Sequence, residues 1–500
     1  MKRLLIVLLT ACPCALSPAA PIKAGFAERD ITPKIGMERP GGYGKVFHRV
    51  FHDACKARAA VFDDGNKSTA LVGLDALFIR KPSVDRIRAA IATKTGISPE
   101  GVLIGASHSH SSGPVGMILP GEFDHASEWI KELAYKQSSV ADPKYLKQME
   151  QGVIDAVVEA HKNRQPVQIG FGRGQEGEVQ FNRRFRMKNG LTYTHPRYDN
   201  PDMLEPAGPI DPEVGVIGVW SADGKELLGC VVNWACHATT SPGGISANYV
   251  HYLEKALRAV MGKDIVVCFL NGASGDITQV DNNSPVRQTG GEAAIKVGGS
   301  VGAEAAKVLL KMQIRGTEAP IDHKLKMLEI PRRKPGAKRL AAAKELAGRP
   351  RKSTDNVTDW IFAKEILLLD ALIAKEPVRQ VEVQAIQIGP AVFLTTPAEY
   401  FCQFGLDQKK ASPFPFTWPV SLANMLVGYV PTEEALGPHG GGYETRLTGY
   451  SNLVPNAGAR MRDAGIDLAR SMKPGKPPQP ANPLKFSAPW AYGAVPPEVD

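Results

Sequence analysis

Residues 102–110 read Val-Leu-Ile-Gly-Ala-Ser-His-Ser-His, an apolar run that passes directly into small and polar side chains. The same arrangement recurs along the chain, where further apolar runs end in polar or small residues: Ala70–Phe78, Gly229–Trp234, Ile265–Leu270 and Ala391–Leu394. Continuous apolar runs of this length are typical of β-strands that are covered on both faces. We therefore predict a buried strand at each run, followed by a polar loop.

Segments with helical periodicity lie between these runs: Lys144–His161, His251–Val260, Gly299–Leu310, Lys338–Ala347 and Val357–Ala374. Alternating strands and helices predict an α/β fold, with mixed β-sheets flanked by helices in a single large domain. Ligands of such sheets bind at the carboxyl ends of the strands, so the polar loops are predicted to share one site. In Val381–Ile388, apolar and polar residues alternate. This pattern predicts a half-exposed antiparallel strand.

The chain has 500 residues, of which 43% are hydrophobic and 22% are charged. This composition excludes a mainly disordered, collagen-like or coiled-coil chain. The formal net charge of +9 comes from Lys324–Lys352, a segment with a large excess of basic residues and no aromatic residue. Surfaces that bind single-stranded nucleic acid interleave aromatic and basic side chains. We predict a solvated surface segment and no nucleic-acid partner, with peripheral contact to an anionic membrane surface as the alternative.

The first residues are typical of an export signal. Lys2-Arg3 precedes the apolar run Leu4–Leu9, and cleavage after Ala19 satisfies the small-residue rule. A lipobox that would lipidate Cys12 is disfavoured, because a proline follows it directly. No later apolar run reaches the ~20 residues that a transmembrane helix needs. We predict a signal peptide over residues 1–20 and an exported protein, periplasmic or secreted.

His108 and His110 are the first candidates for chemistry. In an extended segment, residues i and i+2 share a face, so both imidazoles can point at one spot, and their small neighbours leave room for a ligand. Zn²⁺ prefers imidazole nitrogen and carboxylate oxygen as ligands. The pair therefore indicates a metal site, with hydrogen-bonded structural histidines as the alternative.

Two further candidates follow other predicted strands. His237 precedes Ala238-Thr239-Thr240, and Glu399 follows Thr395-Thr396-Pro397-Ala398. Taken singly, the histidine also fits a structural role, and the carboxylate also fits a helix N-terminus. Cys236, beside His237, would be a thiol nucleophile only with an activating base, and nothing within the motif marks one.

Two glycine-containing loops complete the set of candidates. In Asn271-Gly272-Ala273-Ser274-Gly275-Asp276, the aspartate replaces the second glycine of the Gly-x-Ser-x-Gly nucleophile elbow. Ser274 therefore either caps a turn or contacts a substrate. Gly440-Gly441-Gly442 lies between Tyr429 and Tyr443. Such a run allows close backbone approach, and the two tyrosines either anchor the loop to the core or supply hydroxyls to a site.

Taken together, these segments resemble the catalytic domain of the neutral/alkaline, non-lysosomal ceramidases, a family of zinc-dependent amidases. The resemblance runs through short motifs in order: Arg29-Asp30-Ile31-Thr32-Pro33, Ser107–Pro114, Asn182-Arg183-Arg184, Asn233–Thr239, Asn271–Thr278, Pro397-Ala398-Glu399, and Gly428–Glu434 with Tyr443. Motifs in the right order over most of the chain are more specific than any single motif.

The resemblance implies one Zn²⁺ per chain and a role for each candidate residue. The implied metal ligands are His108, His237, Glu399 and Tyr429, and Glu399 would also shuttle the proton. The implied substrate-binding groups are His110, Arg183 and Tyr443 at the scissile carbonyl and Ser274 near the amide, with Arg184 as a close rival to Arg183.

The chain also departs from the family. Bacterial and animal members carry a C-terminal immunoglobulin-like domain that helps shape the lipid-binding groove. Here we predict a catalytic domain over residues 21–472, followed by a Pro-rich C-terminal tail over residues 473–500. Asn248 stands where related sequences often have an acidic residue. These departures indicate a divergent branch.

The resemblance implies an enzyme that hydrolyses a linear amide. The first expectation is cleavage of ceramide to sphingosine and fatty acid. The second is an exported zinc hydrolase that acts on a non-lipid N-acyl or ester substrate. The third is a non-catalytic surface-binding protein on a hydrolase scaffold, in which Lys324–Lys352 grips an anionic surface.

Overall fold

The computed structural model describes residues 21–349 and 356–480, together with residues 483, 490, 492, 493 and 495–499. The predicted signal peptide lies outside the described residues, as do Arg351 and Lys352 of the basic segment. In the described part of the chain, no helix has the length and apolar character that crossing a bilayer requires.

The α-helices of the described residues account for every helical segment that the periodicity predicts. They are α1 (Lys81–Thr95), α2 (Glu128–Tyr135), α3 (Pro143–Lys162), α4 (Tyr249–Met261), α5 (Gly291–Lys311), α6 (Ala337–Gly348), α7 (Val357–Lys375), α8 (Cys402–Ala411) and α9 (Ala457–Arg470). Only α5 begins much earlier than predicted, because Ala294 and Val297 extend its buried face.

The β-strands are more numerous than the apolar runs alone predict. They are β1 (Lys23–Asp30), β2 (Lys56–Asp63), β3 (Ser68–Leu74), β4 (Val102–Ala106), β5 (Gln165–Gln175), β6 (Phe181–Asn182), β7 (Arg184–Met187), β8 (Thr192–Thr194), β9 (Met203–Pro206), β10 (Glu213–Ser221), β11 (Leu227–Trp234), β12 (Val266–Asn271), β13 (Ile277–Thr278), β14 (Ile321–Pro331), β15 (Val378–Ile388), β16 (Ala391–Thr395), β17 (Glu399–Tyr400), β18 (Phe416–Val420) and β19 (Tyr429–Val430).

Two main sheets pack face to face. The larger has the strand order β12-β11-β10-β5-β1-β2-β3-β4, and the smaller has the order β14-β15-β16-β18. Side chains from both sheets, such as Leu103, Leu270, Phe393 and Trp418, form the core between them. Helices α1, α3, α4 and α5 cover the outer face of the larger sheet, and α8 and α9 cover that of the smaller one. The predicted α/β class with mixed sheets is confirmed as a four-layer α/β/β/α sandwich.

Parallel strand pairs bring the polar loops to one edge of this sandwich. The pairs β3–β4, β11–β12 and β16–β18 all run parallel. The chain that leaves β18 links the other strand ends, because Ser421 N–H donates to Asn271 O and Ala106 N–H donates to Leu422 O. The polar loops that follow β4, β11, β12 and β16 therefore meet, as predicted from the carboxyl-end rule.

The prediction that Val381–Ile388 is half exposed is wrong. All eight residues are buried within β15, including the polar ones. Glu382 pairs with Arg88 of α1, with oxygen–nitrogen distances of 2.9 and 3.0 Å, and Gln384 donates to the carbonyls of Glu100 and Val102. Alternation predicts exposure only where water is the partner of the polar side chains, and here another layer of the protein supplies their partners.

The apolar run Ala70–Phe78 is likewise not one strand. Strand β3 ends at Leu74, because the Asp75 carboxylate turns inward and accepts hydrogen bonds from Lys56 N–H and the Arg58 guanidinium. The residues after Asp75 remain buried, and the carbonyl of Leu77 faces His108. The second half of this run therefore does not extend the sheet and instead packs beneath the loop that carries His108.

The prediction that Lys324–Lys352 is a solvated segment is wrong for its central part. Arg332 pairs with Glu376 and donates to Asn452 Oδ1. Arg333 donates to the backbone carbonyl of Ser451. These arginines fasten the end of β14 to the loop before α9, so part of the positive charge has a structural role.

Candidate metal centre and active site

Four side chains from four separate segments converge at the carboxyl edge of the sheets. Glu399 Oε2 lies 2.9 Å from His237 Nε2 and 3.2 Å from His108 Nε2. The Tyr429 hydroxyl lies 3.4 Å from His237 Nε2. All four side chains are buried. The residues that the family resemblance implies as metal ligands therefore form one cluster in space.

Backbone carbonyls orient both ligand histidines. His108 Nδ1 lies 2.9 Å from Leu77 O, and His237 Nδ1 lies 2.6 Å from Ser274 O and 2.9 Å from Ile277 O. A ring nitrogen beside a carbonyl carries the proton, so the hydrogen-bond network assigns Nε2 of each ring as the lone-pair atom. Nδ1–H hydrogen bonds of this type commonly fix histidines that ligate metals.

The donor set fits a divalent transition metal. Four donors around a tetrahedral Zn²⁺, each at about 2.0–2.1 Å, lie about 3.3 Å from one another. The observed donor separations of 2.9, 3.2 and 3.4 Å bracket that value. Burial lowers the pKa of His237 to about 4, with a further contribution from Arg183, so this imidazole is neutral near pH 7 and able to ligate.

His110 lies at the open side of the cluster. Its Nε2 is 3.3 Å from His108 Nε2, and the ligating nitrogens of His108, His110 and His237 all lie within 4.8 Å of one another. His110 is therefore also within reach of a metal. It is only partly buried, however, and the Glu399 carboxylate contacts the other two histidines instead. This position suits a group that meets the substrate.

The two histidines meet for a reason different from the predicted one. His108 has φ of 65°, so the segment is not extended at this residue. The left-handed turn, rather than an i and i+2 relation along a strand, brings the rings to a centroid distance of 4.7 Å. A non-glycine residue in this region carries backbone strain, and such strain often marks functional sites.

The structure separates the two adjacent arginines of the Asn-Arg-Arg motif. The Arg183 guanidinium donates to the Tyr429 hydroxyl at 3.0 Å and to Gly275 O at 2.9 Å, so it lies beside the metal-ligand cluster. Arg184 lies over the ring of Phe401 instead. Within the described residues, the contact with a candidate ligand is made by Arg183, which favours Arg183 as the substrate-facing residue.

Tyr443 lies at the mouth of the site. It is 37% exposed, and its ring centroid is 5.3 Å from that of Tyr429. Its ring also packs against that of Tyr43, with centroids 6.4 Å apart. Tyr443 begins the short 3₁₀ helix Tyr443–Thr445 directly after the three consecutive glycines. A phenol in this position faces both the ligand cluster and the solvent.

The loop Asn271–Asp276 positions His237 and Glu399 relative to each other. The carbonyl of Ser274 accepts the His237 hydrogen bond, and Gly275 N–H donates to Tyr400 O. A side chain at position 275 would not fit, because its Cβ would lie 2.4 Å from Glu399 O. The structure therefore gives Ser274 a backbone role, and contact of its hydroxyl with a substrate stays a prediction.

The sequence motifs assign no role to three buried residues of the site. Glu444 accepts hydrogen bonds from both Arg183 and Arg184 at 2.7 Å. Asp276 accepts from Asn182 Nδ2 and from Cys402 N–H, and so joins the segments that carry Arg183 and Glu399. Burial and the nearby Glu399 carboxylate raise the pKa of the Tyr450 phenol. Adjacent buried arginines require an acidic partner, so the Asn-Arg-Arg motif predicts a buried carboxylate, and the structure identifies it as Glu444.

The thiol of Cys236 is not activated. Cys236 is fully buried, and its sulfur lies 3.5 Å from His237 O, a hydrogen-bond acceptor. Burial raises the pKa of the thiol well above its usual value. A protonated, buried thiol is a poor nucleophile. The structure therefore agrees with the exclusion of thiol catalysis.

The fold of this chain is similar to that of proteins with solved structures. No protein-family model and no curated protein sequence matches the chain. Among solved structures, it is similar to a ceramidase complexed with C2 and to neutral ceramidase from Pseudomonas aeruginosa. Each aligns with a TM-score of 0.64 and 18% sequence identity, over 93% of this chain and 77% of the other. The chain has the neutral ceramidase fold. The resemblance that the short motifs indicate is thereby confirmed for the architecture.

The neutral ceramidase fold places those motifs at a single site in this chain. The segments around His108, Arg183, His237, Ser274 and Glu399 come from different strands and loops. In the folded chain, side chains or carbonyls of these segments contact one another directly. At 18% identity the likeness establishes the fold, whereas the chemistry depends on the residues present in this chain.

Proposed function

We propose that this protein is a metal-dependent amidase of the neutral ceramidase type that cleaves the N-acyl bond of ceramide to give sphingosine and fatty acid. One observation carries the proposal: His108, His237, Glu399 and Tyr429 form one buried cluster beside Arg183. The similarity to ceramidase structures supports the choice of an amide substrate.

The cluster would hold one Zn²⁺ through the two imidazoles, the carboxylate and the phenol. When bound, Zn²⁺ lowers the pKa of water from 15.7 to about 7 and so supplies hydroxide near neutral pH. Glu399 accepts the proton that the attacking water loses and then delivers it to the amide nitrogen as the C–N bond breaks. The Tyr450 phenol, which lies beside Glu399, would hold the carboxylate in place for both transfers.

Three groups on the open side of the cluster stabilise negative charge on the substrate carbonyl oxygen. These are the His110 imidazole, the Arg183 guanidinium and the Tyr443 hydroxyl. Glu444 and the Gly275 carbonyl hold the guanidinium before the substrate arrives. A preorganised donor of this kind is typically worth about 3–4 kcal/mol in the transition state.

Hydrolysis by the purified protein tests this function. We expect Zn²⁺-loaded protein to release fatty acid from long-chain ceramide faster than from short N-acyl amides, and we expect a chelator to abolish this activity until Zn²⁺ is restored. Faster hydrolysis of short or polar N-acyl compounds would contradict ceramide as the substrate and favour a non-lipid N-acyl or ester substrate. If metal-loaded protein hydrolyses no amide or ester, the result would favour the third expectation, a non-catalytic surface-binding protein on a hydrolase scaffold.

Substitution of Tyr443 by phenylalanine tests the carbonyl-binding group at the mouth. We expect Tyr443→Phe to lower kcat roughly a hundredfold with metal content unchanged, because one oxyanion donor is lost while the metal-binding residues stay in place. Tyr193→Phe is the matched control, since Tyr193 is 40% exposed and its hydroxyl also accepts a hydrogen bond. A kcat within twofold of wild type for Tyr443→Phe would remove this residue from the chemistry.

A further inference from the structure

The segment Lys34–Phe51, called here the rim loop, exposes an unusual amount of apolar surface. Five large apolar side chains in it are between 46% and 58% exposed: Ile35, Val46, Phe47, Val50 and Phe51. Single exposed apolar residues are common on protein surfaces and need no explanation. Several within one short segment form a patch, and exposed apolar patches mark interaction sites.

The backbone of the rim loop is ordered by its own hydrogen bonds. Gly36 N–H donates to His48 O, and Arg39 N–H donates to Val46 O, so the segment folds back on itself. The buried imidazole of His48 lies 2.8 Å from Ser112 O and anchors the loop to the body of the protein. The exposed apolar side chains are therefore presented by a defined structure.

The exposed charge of the rim loop is positive and indicates an anionic partner. Its basic residues, Lys34, Arg39, Lys45 and Arg49, are all exposed. Its acidic residue, Glu38, is buried and pairs with Lys45 at 3.8 Å, which leaves Lys34, Arg39 and Arg49 as the basic groups for a partner. The loop thus presents apolar and positive groups without exposed negative charge. Basic and apolar groups on one surface are complementary to an anionic lipid surface, where phosphate groups lie above acyl chains.

The rim loop also borders the candidate active site. Gly41 lies directly over His110, because a Cβ at position 41 would be 2.3 Å from His110 Nδ1. The ring of Tyr43 packs against that of Tyr443, with centroids 6.4 Å apart. A lipid surface held by the rim loop would therefore lie beside the group at the mouth of the site.

We propose that the rim loop docks this protein on an anionic lipid surface. The apolar side chains enter the headgroup region, and the exposed lysines and arginines pair with lipid phosphates. This inference rests on the proposed function for its substrate, because docking would place a membrane-embedded N-acyl lipid next to the catalytic groups. It also moves the expected membrane contact from Lys324–Lys352 to a different segment.

Vesicle binding by the full chain tests docking. We expect wild type to co-sediment with vesicles of phosphatidylcholine mixed with phosphatidylglycerol, and much less with phosphatidylcholine alone. The double variant Phe47→Ser with Phe51→Ser should bind the mixed vesicles at least about tenfold more weakly. A matched control, Ile295→Ser with Leu310→Ser, changes side chains on α5 that are 54% and 60% exposed, and should bind like wild type.

Several outcomes would overturn the docking proposal. They are wild type that fails to bind the mixed vesicles, a rim-loop variant that binds like wild type, and a control that loses binding equally. Metal content and the unfolding midpoint of the rim-loop variant verify that it folds. Turnover of a soluble N-acyl amide by wild type, measured without vesicles, reports on the proposed function separately. Binding to the mixed vesicles without hydrolysis of the N-acyl amide would contradict the proposed amidase function and support the docking proposal.

Discussion

Replacing His108 with alanine should reduce metal content sharply and lower amide hydrolysis by roughly a thousandfold or more, since in the proposed amidase the metal ion would provide both the nucleophile and the polarising charge. His108 Nε2 contacts Glu399 at 3.2 Å and His110 at 3.3 Å, so its loss removes a donor from the centre of the cluster. Metal analysis of the purified protein and initial rates with Zn²⁺ present give the two readouts.

The control for this prediction removes a histidine elsewhere. His125→Ala changes an exposed imidazole that stacks on Phe123 and hydrogen-bonds with Ala371 O. We expect its metal content and activity to match those of wild type. Equal metal content and equal activity in wild type and His108→Ala would end the proposal of a metal-dependent amidase at this site.

Glu444→Gln is expected to destabilise the fold by about 3–5 kcal/mol, because it leaves two buried guanidinium charges without their shared counterion. Glu444 is fully buried, and its oxygens accept from Arg183, Arg184 and Thr194. Glutamine keeps the size of the side chain but carries no charge. Since Arg183 also touches Tyr429, we expect kcat to fall while the four ligands still bind metal.

Urea unfolding of the full chain measures the stability change. Glu128→Gln serves as the surface control, because Glu128 is 91% exposed and pairs only with Lys131 among the ion pairs of the described residues. Its effect should stay within about 0.5 kcal/mol, as is usual for exposed pairs. A loss of less than about 1 kcal/mol for Glu444→Gln would contradict the counterion role.

Local patterns in the chain were sufficient to predict its class and most of its regular elements. Apolar runs such as Val102–Ile104 and Gly229–Trp234 became buried strands, because continuous hydrophobic residues require cover on both faces. Helical periodicity gave α3, α4, α6 and α7 close to their observed ends. The motif order pointed to the neutral ceramidase fold, and the structural similarity confirms that fold.

Sequence patterns report which side chains a segment offers, and they were enough to name His108, His237, Glu399 and Tyr429 as candidates. They do not report which partner each polar side chain will meet, because that depends on contacts between residues hundreds of positions apart. Such distant contacts bury Glu382 against Arg88 and place Arg183 rather than Arg184 beside the candidate ligands. They also give Glu444 and Asp276 their roles as hydrogen-bond acceptors. Packing the two sheets together removed water from these groups, and each buried charge then required a partner from another layer.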